Sequence, residues 1–131
     1  MVIVLDTSAA VEIVIQRKLA DDLGRVVAEA DWIITPTLFI PEITNVFWKY
    51  YLFNDMPLQI CEQAIESAVT LPDEFVSEKE LYKEAFALGC FTQKPTYDMY
   101  FLVLARRHNG YLMTMDRSLK ETAKKNSIRL I

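Results

Sequence analysis

Val2-Ile3-Val4-Leu5-Asp6-Thr7-Ser8 is the segment that decides the fold. Its first four residues are apolar and three of them are β-branched, which is typical of a parallel strand covered on both faces. Asp6 follows this strand directly, and Thr7 or Ser8 is suited to cap a helix over residues 9–16. The chain therefore opens with a buried strand, an acid at its carboxyl end and a helix.

The rest of the chain alternates between the same two kinds of element. Further strands are predicted at residues 32–35, 75–76, 111–115 and 128–131. Helices are predicted over residues 19–29, from just after Pro36 to about residue 53, over 57–68 and over 97–108. Another helix is predicted to begin at a capping box of Ser77 and Glu80 and to end just before Gly89, and a last one to follow a cap at Ser118. This alternation predicts parallel β-α-β units, and hence a single three-layer α/β domain over residues 1–131. Its central parallel sheet would have four or five strands flanked by helices.

Composition excludes several classes of protein. The 131 residues are 52% hydrophobic and 24% charged, as expected of one globular domain. No basic leader is evident, and no apolar stretch approaches the ~20 residues needed to span a bilayer. The two cysteines, Cys61 and Cys90, give neither a disulfide framework nor a zinc spacing, and we expect both to be buried. These features predict a cytoplasmic protein without a membrane partner.

The net charge of −4 argues, by itself, against a polyanionic partner such as RNA. If four of the 18 acidic residues held a metal ion, 14 acidic residues would remain against 14 basic residues. A bound divalent cation would also offset the charge of those four carboxylates. The acidic balance therefore weakens the case for a nucleic-acid partner without excluding it.

Four acids lie beside apolar segments, unlike most acids of the chain. They are Asp6, Glu42, Asp98 and Asp116. A carboxylate in apolar surroundings costs several kcal/mol unless it is paired or bound to a metal. Because the carboxyl ends of parallel strands meet at one edge of a sheet, Asp6 and Asp116 are expected in the same crevice. No basic residues are matched to the four acids in sequence, so a shared cation is predicted.

Each acid also has a simpler explanation. Asp6 could cap the first helix, and Asp116 could be a turn residue before the Ser118 helix. Glu42 and Asp98 could be first-turn acids favoured by the helix dipole. Singly these explanations are at least as good as a catalytic role, but jointly they are weaker, because all four acids adjoin buried segments.

Four motifs in order resemble the PIN domain, and more narrowly the toxin nucleases of VapBC toxin–antitoxin pairs. They are Leu-Asp-Thr-Ser at 5–8, Pro-Glu-Ile-Thr-Asn at 41–45, Tyr-Asp at 97–98 and Thr-Met-Asp-Arg-Ser-Leu at 114–119. The resemblance runs over the whole chain and is least diagnostic between Pro57 and Pro95. It implies a metal-dependent endoribonuclease that cleaves single-stranded RNA by water attack on a phosphodiester. Its metal, Mg²⁺ with Mn²⁺ as a substitute, would be held by Asp6, Glu42, Asp98 and Asp116.

The resemblance also implies partners and supporting residues. PIN toxins pair with an antitoxin whose tail covers the acidic crevice, and they form homodimers. Thr7, Ser8, Asn45 and Thr114 stand beside the acids or share a helix face with one, and are candidate supporting residues. Tyr97 and Phe39 are candidates for stacking on RNA bases, and both could equally belong to the core. Arg117 and the stripe Lys120, Lys124 and Lys125 are either RNA contacts or solvated surface charges, and His108 is expected at a helix C-terminus.

Competing interpretations fit the motifs less well. A phosphoaspartyl phosphatase of the haloacid dehalogenase type needs a second Asp two residues after the first, and position 8 is Ser. A receiver domain needs an acidic pair at the first strand and a late Lys, and neither is evident. A catalytically silent PIN-like binding module and an RNA-processing nuclease without an antitoxin stay open.

Overall fold

The computed structural model describes residues 1–131 and contains five strands and seven α-helices. The strands are β1 (Val2–Leu5), β2 (Trp32–Pro36), β3 (Glu74–Val76), β4 (Tyr111–Met113) and β5 (Arg129–Leu130). The helices are α1 (Thr7–Val14), α2 (Ala20–Glu29), α3 (Phe39–Phe53), α4 (Leu58–Thr70), α5 (Tyr82–Thr92), α6 (Thr96–Arg107) and α7 (Arg117–Lys125). None of these helices has the length and apolar character needed to cross a membrane.

All five strands are parallel, and β1 lies in the centre of the order β3-β2-β1-β4-β5. Val4 of β1 is paired with Ile34 of β2 on one side and with Leu112 of β4 on the other. The chain builds outward from β1 in one direction first and then returns to the other side. A topological switch point therefore lies at the carboxyl end of β1, where ligands bind in sheets of this kind.

The core is divided by the sheet into two apolar clusters, which accounts for the wholly apolar β1. On one face Val4, Ile34 and Leu112 pack in a cluster that includes most of α6. On the other face Ile3 and Leu5 pack in a cluster with residues of α1, α3 and α4. Each large side chain that is fully buried in this way contributes roughly 1.5–3 kcal/mol of transfer free energy. The predicted three-layer α/β class, with helices on both faces of a parallel sheet, is confirmed.

The predicted caps of α1 and α7 are wrong by one or two residues. Asp6, with extended backbone angles, is the N-cap of α1, so Thr7 is already helical. Asp116 is the N-cap of α7, and its Oδ1 accepts a hydrogen bond of 3.1 Å from the amide of Leu119. Both acids stand at the junction of a strand end and a helix start because the chain has almost no loop there.

The segment after β3 also differs from the prediction. Ser77 begins only a 3-10 turn over Glu78–Glu80, and α5 continues through Gly89 instead of ending before it. Gly89 is needed inside this helix because a Cβ there would lie 2.8 Å from Cγ2 of Thr96. The expected burial of cysteine holds for Cys61 and is wrong for Cys90, which is exposed on α5.

Candidate active site

The four acids singled out in the sequence line one crevice of about 300 Å³ at the carboxyl edge of the sheet. Asp6 follows β1, and Asp116 lies just beyond β4. Glu42 and Asp98 come from the first turns of α3 and α6. Four helices thus begin at the crevice, and the positive ends of their dipoles favour negative charge there.

The simpler explanation of these acids as helix caps holds for one of them and fails for another. The carboxylate of Asp116 does cap α7 through Oδ1. Asp6, although it occupies the N-cap position of α1, makes no side-chain capping bond. Asp6 is only 6% exposed, so its carboxylate is buried in the crevice for a reason other than capping.

Two hydroxyl groups hold one oxygen of Asp6. Its Oδ2 accepts hydrogen bonds of 2.6 Å from both Ser8 Oγ and Thr114 Oγ1. These hydroxyl oxygens in turn accept the amides of Met115 at 2.9 Å and Asp116 at 3.0 Å. The network joins Asp6 to the backbone that carries Asp116, so the separation of these two acids is fixed by hydrogen bonds. Oδ1 of Asp6 has no hydrogen-bond donor from a side chain in this network.

The two remaining predicted supporting residues lie on the α1 and α3 side of the crevice. Thr7 Oγ1 donates a hydrogen bond of 2.7 Å to Oε1 of Glu42, linking the start of α1 to the start of α3. Asn45 lines the crevice three residues after Glu42. The sequence analysis missed Val46, the one apolar residue of the lining, because it belongs to the partly buried side of α3.

Burial and mutual repulsion disfavour the charged forms of three of these acids. Burial raises the pKa of Asp6, against hydrogen bonds from Ser8 and Thr114 that lower it. Burial, reinforced by the charges of Asp6 and Asp98, raises the pKa of Glu42 to about 7. The pKa of Asp98 is also raised, first by burial and then by Asp6 and Asp116, while the ammonium of Lys94 lowers it. The crevice is thus a concentration of negative charge held at an electrostatic cost.

No basic side chain forms an ion pair with any of the four acids. The ion pairs of the molecule join the N-terminus to Asp31, Arg25 to Asp22, and Arg106 and Arg107 to Glu84. The carboxylates also do not converge on one point, since no three acidic, histidine or cysteine side chains are spaced to hold a metal ion directly.

Among the other candidate residues, the two aromatic side chains have different outcomes. Phe39 is fully buried, so of its two interpretations the core position is confirmed and base stacking is wrong, whereas Tyr97 is exposed at the start of α6. Arg117 is exposed at the start of α7. His108 is the C-cap of α6, as expected, and its ring meets Trp32 edge-on at 5.1 Å between centroids.

Comparisons with known proteins agree on one family. The family model of the PIN domain matches residues 3–125. The curated ribonuclease VapC3 of Pyrobaculum aerophilum is 30% identical over 125 residues, which cover 92% of this chain and 94% of that protein. The crystal structure of PAE2754 from Pyrobaculum aerophilum has a TM-score of 0.69 and 18% identity, covering 93% of this chain and 87% of that one. At that identity the structural likeness bears on the fold alone.

Proposed function

The chain belongs to the PIN-domain family, and on this premise we propose that it is a VapC-type endoribonuclease dependent on Mg²⁺ or Mn²⁺. Residues 1–131 would act as one nuclease domain, with Asp6, Glu42, Asp98 and Asp116 as its catalytic residues. The observation that carries the proposal is the crevice itself, where four acids without a basic partner meet at the switch point of the sheet. The curated relative, which is named a ribonuclease, supports the class of substrate.

The donor atoms of the crevice fit a divalent cation of this kind. Carboxylate oxygens suit Mg²⁺ and Mn²⁺, and Mg²⁺ keeps several waters while taking only one or two carboxylates. That preference matches four acids that share a crevice without converging on one point. The raised pKa values of Asp6, Glu42 and Asp98 support the same fit, because a cation would remove the repulsion behind them.

The cation would make a water more acidic and offset negative charge that develops on the phosphate during hydrolysis. The residues of the chain position the reacting groups. Ser8 and Thr114 hold Oδ2 of Asp6, whose Oδ1 has no side-chain donor, while Thr7 holds one oxygen of Glu42. In the reaction a water oxygen adds to phosphorus, one P–O ester bond breaks, and the leaving oxygen gains a proton.

A single-stranded substrate suits the charge and the shape of this crevice. The net charge of −4 leaves no long cationic track for a rigid duplex. A flexible strand can instead bring one phosphate into the crevice and place a base on the exposed ring of Tyr97. We therefore expect cleavage of single-stranded RNA and hairpin loops, complete loss of cleavage in EDTA, and little cutting of double-stranded DNA.

One gel series tests the substrate. Single-stranded RNA, duplex RNA and duplex DNA of matched sequence are incubated with the protein in Mn²⁺ and, in parallel, in EDTA. If duplex DNA were cut fastest, the ribonuclease proposal would be wrong and the protein would be a structure-specific DNA nuclease. Binding of RNA without cleavage of any substrate would favour the second candidate function, a catalytically silent PIN-like binding module.

Two groups of exposed apolar side chains support the proposal of protein partners. One lies on the end of α3 and the start of α4 and consists of Trp48, Tyr51, Leu52, Phe53 and Leu58; the other lies on α5 and consists of Tyr82 and Phe86, which are one helical turn apart. Exposed apolar patches of this kind mark protein interfaces. We propose that they serve a homodimer and an antitoxin, the latter placing a basic side chain at the acidic crevice.

Light scattering at micromolar concentration tests the homodimer, for which we expect twice the mass of the chain. A strict monomer at high concentration would contradict the toxin-type assembly. A short gene for a DNA-binding protein immediately upstream would support the antitoxin. Its absence would favour the alternative of an RNA-processing nuclease that acts without one.

A further inference from the structure

Lys94 links the segment before α6, whose first turn carries Asp98, to α7, whose N-cap is Asp116. It lies between α5 and α6, and its Nζ donates a hydrogen bond of 3.0 Å to Oγ of Ser118 in the first turn of α7. Asp98 is four residues further along the chain, in the first turn of α6. The ammonium therefore lies on the side of α6 and α7, outside the residues that line the crevice but near enough to Asp98 to lower the pKa of that acid.

The backbone around Lys94 is held in one conformation. Gln93 adopts the left-handed conformation (φ 59°) that ends α5, and Pro95 restricts its own φ. The amide of Lys94 donates a hydrogen bond of 3.2 Å to the carbonyl of Gly89, and a Cβ on Gly89 would approach the carbonyl of Lys94 to 3.2 Å. The backbone at Lys94 is therefore ordered by this turn, and the exposed side chain is directed toward α7 by its hydrogen bond to Ser118.

The charge of Lys94 is not neutralised within the fold. Unlike Arg106 and Arg107, which share Glu84, it forms no ion pair, and its hydrogen-bond partner is a neutral hydroxyl. Lys94 is also the basic residue whose charge acts on the crevice, since it lowers the pKa of Asp98. An ammonium carries three donors. With one of them used by Ser118, two are left for a further ligand.

We propose that Lys94 binds a phosphate of the RNA strand next to the phosphate that is cleaved, and so positions the strand across the acidic crevice. This inference rests on the proposed ribonuclease function and adds a binding role to a residue outside the acidic quartet. A lysine ammonium is a compact point charge, which suits a phosphate without reading its base. In a protein whose crevice repels RNA, an unpaired cation beside the crevice also favours entry of the strand from the side of α6 and α7.

The test is the salt dependence of steady-state cleavage of a short single-stranded RNA at constant Mn²⁺. Removing one phosphate contact from a single strand makes the plot of log kcat/KM against log salt shallower by about 0.7. We expect Lys94→Gln to show this change, with KM raised roughly two- to fivefold at about 0.1 M salt and kcat nearly unchanged. Lys94→Arg should keep the slope of the wild type. Ser118→Ala, which keeps the charge but frees it, should raise KM less than Lys94→Gln.

Lys18→Gln is the matched control, because Lys18 is exposed beyond the far end of α1. It removes the same charge from the chain and should keep the wild-type slope and KM. Melting temperatures establish that all variants are folded. If the wild type cleaves RNA and Lys94→Gln shows the same salt slope and the same KM as the wild type, the proposed role of Lys94 is wrong. The proposed ribonuclease function would not be affected by that result. If the wild type does not cleave RNA, both proposals fail.

Discussion

Replacing Asp98 with Asn is expected to lower the rate of RNA cleavage by at least about 100-fold while leaving the fold intact. Asp98 lies in the crevice with Asp6 and Asp116, whose charges act on its pKa. Asn has nearly the same shape but cannot supply a charged ligand to a cation. Losses of 10- to 100-fold follow even from changes to residues behind metal ligands, so a ligand itself should cost at least as much.

The same substitution should stabilise the metal-free protein at pH 7.5. Burial and the carboxylates of Asp6 and Asp116 disfavour the charged form of Asp98, and Asn removes that charge. If Asp98 lowers the stability of the metal-free protein, it is not a structural helix cap, because a cap would raise the stability. The measurements are the initial rate of cleavage in Mn²⁺ and the melting temperature in EDTA.

Asp21→Asn is the control for this prediction, because Asp21 is exposed in the first turn of α2 and does not line the crevice. It should change neither cleavage nor the melting temperature by much. Cleavage by Asp98→Asn at the rate of the wild type would show that the acidic quartet has been assigned wrongly.

Binding of a divalent cation is expected to raise the stability of the folded protein, and this is the second large effect that we predict. A ligand that binds only the native state stabilises it by about 2.7 kcal/mol at 100 times its Kd. For a domain of this size such a gain corresponds to a rise in melting temperature on the order of 10 °C. We expect this rise with Mn²⁺ or Mg²⁺ at pH 7.5, and a clearly smaller rise in Asp98→Asn.

The rise in melting temperature on metal binding should depend on pH, in the direction set by the pKa of Glu42. Its pKa is about 7 in the folded protein against an ordinary value of 4.5, so the folded state retains a proton that the unfolded chain has lost. Stability of the metal-free protein therefore falls as the pH rises from about 4.5 to about 7, and the loss persists above that range. The gain from metal should accordingly be larger at pH 7.5 than at pH 5.

Glu42→Gln isolates this contribution, because Gln keeps the size of the side chain and cannot titrate. In EDTA the variant should match the wild type near pH 4.5 and exceed it in melting temperature at pH 7.5. Parallel pH profiles of the two proteins would contradict the raised pKa of Glu42.

The fold and the meeting of Asp6 and Asp116 could be predicted from local features of the sequence, whereas Glu42 and Asp98 are placed with them by the resemblance to the PIN domain. Val2–Leu5 is apolar at every position because both faces of β1 are covered, and Asp6 follows without a loop. Once the sheet is parallel, the carboxyl ends of β1 and β4 meet at one edge. Asp6 and Asp116 are then neighbours in space although 110 positions separate them in the chain.

The features that the sequence did not reveal depend on contacts between distant segments. Gly89 ordinarily favours the end of a helix, but α5 continues through it because Thr96 of α6 packs against that position. Phe39 lies three residues before Glu42, and only the rotation of α3 places its ring in the core. The hydrogen bond from Lys94 to Ser118 spans 24 positions, so no pattern around either residue indicates it.

Titration calorimetry of Mn²⁺ into the metal-free protein tests the central claim most directly, because it requires neither the correct RNA nor a partner. The acidic crevice predicts binding at millimolar or lower concentrations of metal in the wild type. Asp98→Asn should bind much more weakly, and Asp21→Asn should bind like the wild type. Absence of binding by the wild type at millimolar Mn²⁺, or equal binding by Asp98→Asn, would contradict a metal site formed by Asp6, Glu42, Asp98 and Asp116.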